Sequence, residues 1–221
     1  MKQSAHGQIT RKIGLLKPGN LIFPSDFKGI GTEIAVKNAL SRLAKEKKIE
    51  RLAHGIYLLP QYDPKFGKLK PTLERMATAI AKHYHIRIKP TGAYALNKLG
   101  LSTQVPMKQV YITDGLPKHI KVGKGTIEFK ATTPKRLSMK GPISSLIIQA
   151  LDELEIKELE SDDDFKNKIL TLLQKEKTNL LQHDLKLAPA RISDYIFRIF
   201  GSIHNDHVKK CENDRVAAKL K

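Results

Sequence analysis

The stretch Thr32–Pro60, TEIAVKNALSRLAKEKKIERLAHGIYLLP, decides the fold. Thr32 is an N-cap by type, its hydroxyl suited to one of the free N–H groups of a first helical turn. Glu33 places an acid in that turn, where it suits the helix dipole. From there to about Lys47, Val36, Ala39, Leu40 and Leu43 recur at helical spacing and form an apolar stripe. Asn38, Ser41, Arg42 and Lys45 point away from it. After the helix, Lys48–Leu52 and Gly55–Leu59 read as two short strands around Ala53-His54-Gly55.

Upstream, Ser4 caps a helix reaching Leu16, with Ile9, Ile13 and Leu16 on one face, and Lys17-Pro18-Gly19-Asn20 breaks it. Ser25 is the cap of a very short second helix near Phe27, and Gly29-Ile30-Gly31 is a turn. Three helices followed by a hairpin are the order of a winged helix-turn-helix, expected over residues 1–60.

Downstream, residues 61–71 follow Pro60, contain Pro64, Gly67 and Pro71, and read as a linker. Residues 72–221 are expected to form a mixed α/β domain ending in helices, so the whole chain is of α+β class. Thr72–Tyr84 is a helix on Leu73, Met76, Ala77, Ile80 and Ala81. A strand at His85–Lys89 stops at Pro90, and a short helix runs from Gly92 to Leu99. Strands follow at Gln109–Thr113, Ile120–Val122 and Thr126–Lys130, the last two joined by Gly123-Lys124-Gly125. Helices are expected at Gly141–Leu154, at Phe165–Leu181 after the acidic stretch Glu155–Asp164, and from Ala188 to Phe200. A polar tail begins at about His207.

The charge narrows the function. The 221 residues hold 40 Lys and Arg against 22 Asp and Glu, a net of +18. Residues 1–60 carry 11 and 4, residues 61–150 carry 16 and 4, and residues 151–221 carry 13 and 14. A cationic body with a near-neutral end favours a polyanionic partner through phosphate neutralisation. The single cysteine, Cys211, excludes an intramolecular disulfide and a multi-cysteine metal site. No apolar run approaches a membrane span, and the N-terminus lacks the apolar core of a signal peptide, so a cytoplasmic protein without membrane contact is expected.

On a helix lying in the major groove, Arg42 suits guanine, Asn38 suits adenine, and Lys37 and Lys45 suit phosphate. Thr32 and Ser41 complete that face, and Arg51 and His54 sit where a wing meets the backbone or minor groove. Lys118, Lys121, Lys124, Lys130, Lys135 and Arg136 form a candidate second basic surface. Each set has a plainer reading, a solvated face.

Catalytic, cofactor and metal motifs are missing. Gly67-Lys68 and Gly123-Lys124 are not phosphate loops, since Leu69 and Gly125 follow them. His204, His207 and Cys211 offer three ligands without a fourth. Asp162–Asp164 fits a helix start better than a cation site, and Ser144-Ser145 has no evident His partner. No catalytic residue, cofactor or metal is therefore expected.

Four blocks carry a family resemblance. VKNALSRLAKEKKIERLAHGIYLLP (Val36–Pro60), PTGAYALNKLGLSTQVPMKQVYITDG (Pro90–Gly115), GTIEFKATTPKRL (Gly125–Leu137) and IQALDEL (Ile148–Leu154) resemble the AbiEi-type antitoxins of abortive-infection, type IV toxin–antitoxin operons. The resemblance covers roughly residues 5–155, and Pro90–Gly115 is its most specific part. It implies an N-terminal winged helix that represses its own operon by binding promoter inverted repeats. It also implies a C-terminal domain that counters a nucleotidyltransferase-like toxin, without need of a stable complex. A monomer or weak dimer would place two copies on the DNA. Carried over by position, the recognition helix contributes Lys37, Asn38, Ser41, Arg42 and Lys45, and the wing Arg51 and His54; the family often has Arg in place of His54. The toxin itself is a poor match, since no Asp-x-Asp pair follows Gly201-Ser202. Two other readings stand beside the repressor: an RNA-binding module using the basic middle region, and a protein-binding antitoxin whose winged helix is a scaffold.

Overall fold

The computed structural model describes residues 4–201. It is an α+β protein that divides into two compact units, residues 1–85 with 119–127, and residues 86–118 with 128–221. The division falls at 85/86, not in the expected linker at 61–71, and the second unit's strands are interrupted by a hairpin assigned to the first.

In the first unit, α1 (Ala5–Gly14) starts where the Ser4 hydroxyl accepts the Gly7 N–H, and it buries Ile9 and Ile13. A two-residue strand, β1 (Leu21–Ile22), precedes a single 3-10 turn, Pro24–Phe27. The expected Ser25 cap is inside that turn. Asp26 does the capping instead, its carboxylate accepting the Phe23 N–H at 2.8 Å. Helix α2 (Glu33–Lys45) is capped by Thr32, which accepts the Ala35 N–H at 3.2 Å. Its buried residues are Val36, Ala39, Leu40 and Leu43, the stripe expected from spacing. They pack with Ile9, Ile13, Ile22, Phe27 and Ile49 into one core.

Strands β2 (Glu50–Ala53) and β3 (Ile56–Leu58) form the expected hairpin, turning at Gly55 with φ +68°. Strand β1 pairs antiparallel on the other side of β3, giving the order β1-β3-β2. The expected linker is folded: β4 (Gln61–Asp63) and β5 (Gly67–Leu69) are an antiparallel hairpin. Asp63 closes its turn by accepting the N–H groups of Lys65 and Phe66, a local bond that proline and glycine content does not reveal. Helix α3 (Leu73–Tyr84) is capped by Thr72, buries Met76, Ala77, Ile80 and Ala81, and ends on left-handed His85.

A four-stranded sheet has the order β6-β7-β9-β8, from β6 (Ile88–Thr91), β7 (Lys108–Thr113), β8 (Lys118–Val122) and β9 (Gly125–Ala131). Pro90 does not stop β6, which continues to Thr91 with Pro90 opposite Tyr111. As an edge strand, β6 has β7 alone for a neighbour, so a residue without an N–H fits. Helix α4 (Gly92–Lys98) follows, and Gly100 ends it with φ +70°.

The helical end contains α5 (Pro134–Leu137), α6 (Ser144–Leu151), α7 (Ile156–Leu159), α8 (Asp163–Leu173) and α9 (Thr178–Leu187), and residues 190–201 are helical. Ile147, Ile148, Leu151, Ile169, Leu170, Leu173, Ile192, Tyr195 and Ile196 belong to its core. The single helix expected over Phe165–Leu181 is two, because the chain opens between them to send Glu176 elsewhere. Its carboxylate accepts the N–H groups of Ile143 (2.7 Å) and Ser144 (3.0 Å) at the start of α6. Asp184 takes the N–H groups of Lys140 (2.7 Å) and Gly141 (2.8 Å) and the Ser144 hydroxyl (2.7 Å). Two carboxylates from distant sequence thus cap α6, which begins three residues later than expected.

Candidate nucleic-acid interface

The stripe that fixes α2 to the core leaves the opposite arc to solvent. Lys37, Asn38, Ser41, Arg42 and Lys45 are all exposed, and Thr32 is exposed at the helix start. The side chains of Asn38, Ser41, Arg42 and Lys45 make no hydrogen bond or ion pair with the described residues. Lys37 pairs with Glu33 one turn back, at 2.6 Å. Both are solvated, so a phosphate can take Lys37 at little cost. The Lys37 ammonium hydrogen-bonded to Glu33 holds that carboxyl below its ordinary value. Thr32 spends its acceptor on the cap and keeps a hydroxyl hydrogen to donate.

One residue of this arc escapes a search for polar groups. Ile34 is 72% exposed, one turn before Lys37 and Asn38. It lies off the buried stripe, and that mismatch in period is the signal that could have found it. An aliphatic side chain on this face offers an apolar contact to a thymine methyl.

Arg51 and His54 are exposed on the β2–β3 hairpin. Arg51 Nη2 lies 3.4 Å from His54 Nδ1, and since guanidinium only donates, the imidazole nitrogen accepts. A register irregularity between Arg51 and Ala53 shapes the strand leading to this tip.

The six residues of the second basic surface do not share one element. Lys118, Lys121 and Lys124 are exposed on the β8–β9 hairpin, Lys130 lies near the far end of β9, and Lys135 and Arg136 belong to α5. Lys130 is 3.4 Å from Glu153. Arg136 is half-buried in an ion pair with Asp152; burial pulls its pKa down, Glu153 raises it and Arg191 lowers it further. Asp152 also receives Arg191 at 2.9 Å. Arg136 is therefore a packing residue, whereas Lys121, Lys124 and Lys135 are exposed outside any ion pair among the described residues.

Two serines lie within hydrogen-bond reach of titratable side chains. Ser25 Oγ is 2.8 Å from His83 Nε2, and Asp26 is 3.3 Å from His83 Nδ1. The connectivity is that of a nucleophile relay. However, the N–H groups of Asp26 and Lys28, beside Ser25, are spent on the carbonyls of Phe23 and Ser25, and Phe23 stacks on the imidazole at 3.8 Å. His83 clasps the 3-10 turn to α3. Ser145, for which the sequence shows no His partner, accepts from Lys89 Nζ at 2.9 Å, and the same ammonium donates to the Met139 carbonyl. Burial lowers the Lys89 pKa, partly offset by Asp184.

Asp162 caps α8 through the Phe165 N–H, as expected of that acidic run. Among the described residues no group of three or more His, Cys, Asp or Glu is arranged to hold a metal ion, and no helix is long and apolar enough to cross a membrane. Ser202, the His204-His207-Cys211 spacing and the polar tail lie outside the described residues.

Residues 8–181 match the model of DUF6088, a family of unknown function, and the chain belongs to that family. No protein among the curated sequences matches it.

Proposed function

We propose that this member of the DUF6088 family is a DNA-binding antitoxin of the AbiEi type, repressing its own operon through a winged helix formed by α1, the 3-10 turn, α2 and the β2–β3 hairpin. One observation carries the reading. Helix α2 is anchored by a four-residue apolar stripe and presents Lys37, Asn38, Ser41, Arg42 and Lys45 to solvent on the opposite side. Such a helix fits the major groove, where Arg42 reads guanine and Asn38 reads adenine while the lysines set register on phosphates. Arg51 and His54 supply the wing contact. The protein acts in the cytoplasm, and inverted repeats bring two copies onto the DNA as monomers or a weak dimer. The second unit counters a nucleotidyltransferase-like toxin.

The repressor half is tested by mobility shift on the DNA upstream of its own reading frame, against random duplex, across a salt series. Preference for the upstream DNA and a steep loss of affinity with salt are expected; absence of either rejects operator binding. Arg42→Ala should cost about 1–3 kcal/mol on the cognate site. An equal loss on every sequence reduces Arg42 to a phosphate contact. The antitoxin half is tested by co-expression with the nucleotidyltransferase-like product of a neighbouring frame. Growth restored by the full chain and by its Arg42→Ala variant would separate neutralisation from repression.

A further inference from the structure

The β4–β5 hairpin begins just after the β2–β3 hairpin ends, and it turns two aromatic rings outward. Tyr62 is 70% exposed and Phe66 is 80% exposed. Isolated exposed apolar residues need no explanation, but two rings on one nine-residue hairpin are a contact surface in want of a partner. The hairpin is held rigid. Gln61, Tyr62 and Asp63 pair with Leu69, Lys68 and Gly67, Asp63 accepts two N–H groups of the turn, and Gly67 takes φ +68°. That turn fixes Phe66 at the tip. Lys68 Nζ lies 2.7 Å from Glu50 Oε2, which ties β5 to strand β2 of the wing.

The charge on the hairpin selects the partner. Lys65, Lys68 and Lys70 face a single acid, Asp63, whose oxygen is spent in the turn. Lysine is depleted from protein–protein interfaces and abundant where phosphate is bound. Exposed rings bracketed by lysines therefore fit a nucleic acid better than a protein surface. We propose that this hairpin is a second DNA-contacting arm, in which Phe66 wedges at a base step beside the wing contact and Lys65 and Lys70 hold the flanking phosphates. Apolar side chains inserted at a base step partly unstack it and bend the duplex, which lets more protein surface engage. The inference rests on the reading of α2 and the wing as duplex contacts.

The experiment uses the full chain and a duplex of its own upstream sequence, with a single-stranded RNA 30-mer as competitor. Binding is followed by titration, and thymine unstacking by permanganate reactivity. Phe66→Ala should weaken binding about tenfold and abolish a reactive step beside the wing footprint. Its salt slope should match the unsubstituted chain, because no charge is lost. Lys65→Ala with Lys70→Ala should reduce the slope by about 2 without removing the reactive step. With Phe66 so exposed, the unfolding midpoint should not move, and Phe66→Leu should retain part of the binding. Unchanged affinity and unchanged permanganate reactivity in Phe66→Ala overturn the arm, as does a loss confined to RNA. If Phe66→Ala weakens binding while Arg42→Ala does not, the α2 reading fails and the arm stands; the reverse result removes the arm alone.

Discussion

Asp184 is fully buried, yet four donors converge on its carboxylate: two backbone N–H groups, the Ser144 hydroxyl and His183 Nδ1 at 3.0 Å. Burial alone would raise its pKa, but the hydrogen bonds of His183, Ser144, Lys140 and Gly141 outweigh it and leave the group below its ordinary value. Folding therefore lowers this pKa, so the unfolded chain binds more protons around pH 4 and stability rises with pH there. The contribution is complete above the unfolded value and is lost as pH falls through the folded one. Denaturant unfolding should show the midpoint dropping on acidification below about pH 4. Asp184→Asn should flatten that drop and cost about 2–3 kcal/mol at neutral pH, because it weakens acceptors on which buried donors depend. Gly141→Ala attacks the same cap sterically. An added methyl there would sit 2.7 Å from Glu176 Oε2 and 2.9 Å from Asp184 Oδ2 and press on Ser144 Oγ, so a loss of about 1–3 kcal/mol is expected. Ile34 is the opposite kind of residue, costless to the fold and informative about the ligand. Replacing thymine by uracil across the operator should weaken binding of the native chain by about 1 kcal/mol at a contacted methyl and leave Ile34→Ala indifferent to the change.

Helix α2 was legible because its cap, its first-turn acid and its stripe lie within thirteen residues and point to the same register. Thr32→Ala should remove the bond to the Ala35 N–H and cost about 1 kcal/mol, read as a lower unfolding midpoint. The candidate DNA face follows from the same periodicity, since it is what the stripe leaves over. Elements that depend on distant partners were not legible. Strand β1 exists because Leu21 and Ile22 meet Leu58 and Tyr57, and two residues carry no alternation to detect. The break between α8 and α9 is made by Glu176, whose partners at Ile143 and Ser144 lie over thirty residues upstream. The β4–β5 hairpin was hidden by Pro64 and the flanking Pro60 and Pro71, which mark a turn as readily as a linker. Arg136 misled for the converse reason: Asp152, its partner, belongs to the acidic end that regional charge counts keep apart from the basic middle.

At the scale of the molecule, the ion pairs redistribute the +18. Asp114 holds Arg87, Glu128 holds Lys108, and Glu153 and Asp152 take Lys130 and Arg136. The Arg87 guanidinium keeps Asp114 below its ordinary pKa. Among the described residues, Arg42 and Lys45 of α2, Lys65 and Lys70 of the β4–β5 segment and Lys121 and Lys124 of the β8–β9 hairpin are exposed cations outside these ion pairs. The last of these falls, over residues 119–127, within the same compact unit as α2. Lys121 and Lys124 are thus candidates for the phosphate count in a way that Lys130 and Arg136 are not. Each neutralised phosphate contributes about −0.9 to the slope of log affinity against log salt. Lys37, Arg42, Lys45, Arg51, Lys65 and Lys70 alone would give a slope of about −5, and Lys121 and Lys124 would steepen it to about −7. The steeper value is the expected one. Between 50 and 200 mM salt it corresponds to a loss of about 10⁴–10⁵ in affinity. Replacing Lys121 and Lys124 with alanine should return the slope to about −5 while the preference for operator over random duplex survives. A slope unmoved by that substitution would confine the DNA contacts to the first seventy residues and leave the hairpin lysines to another partner.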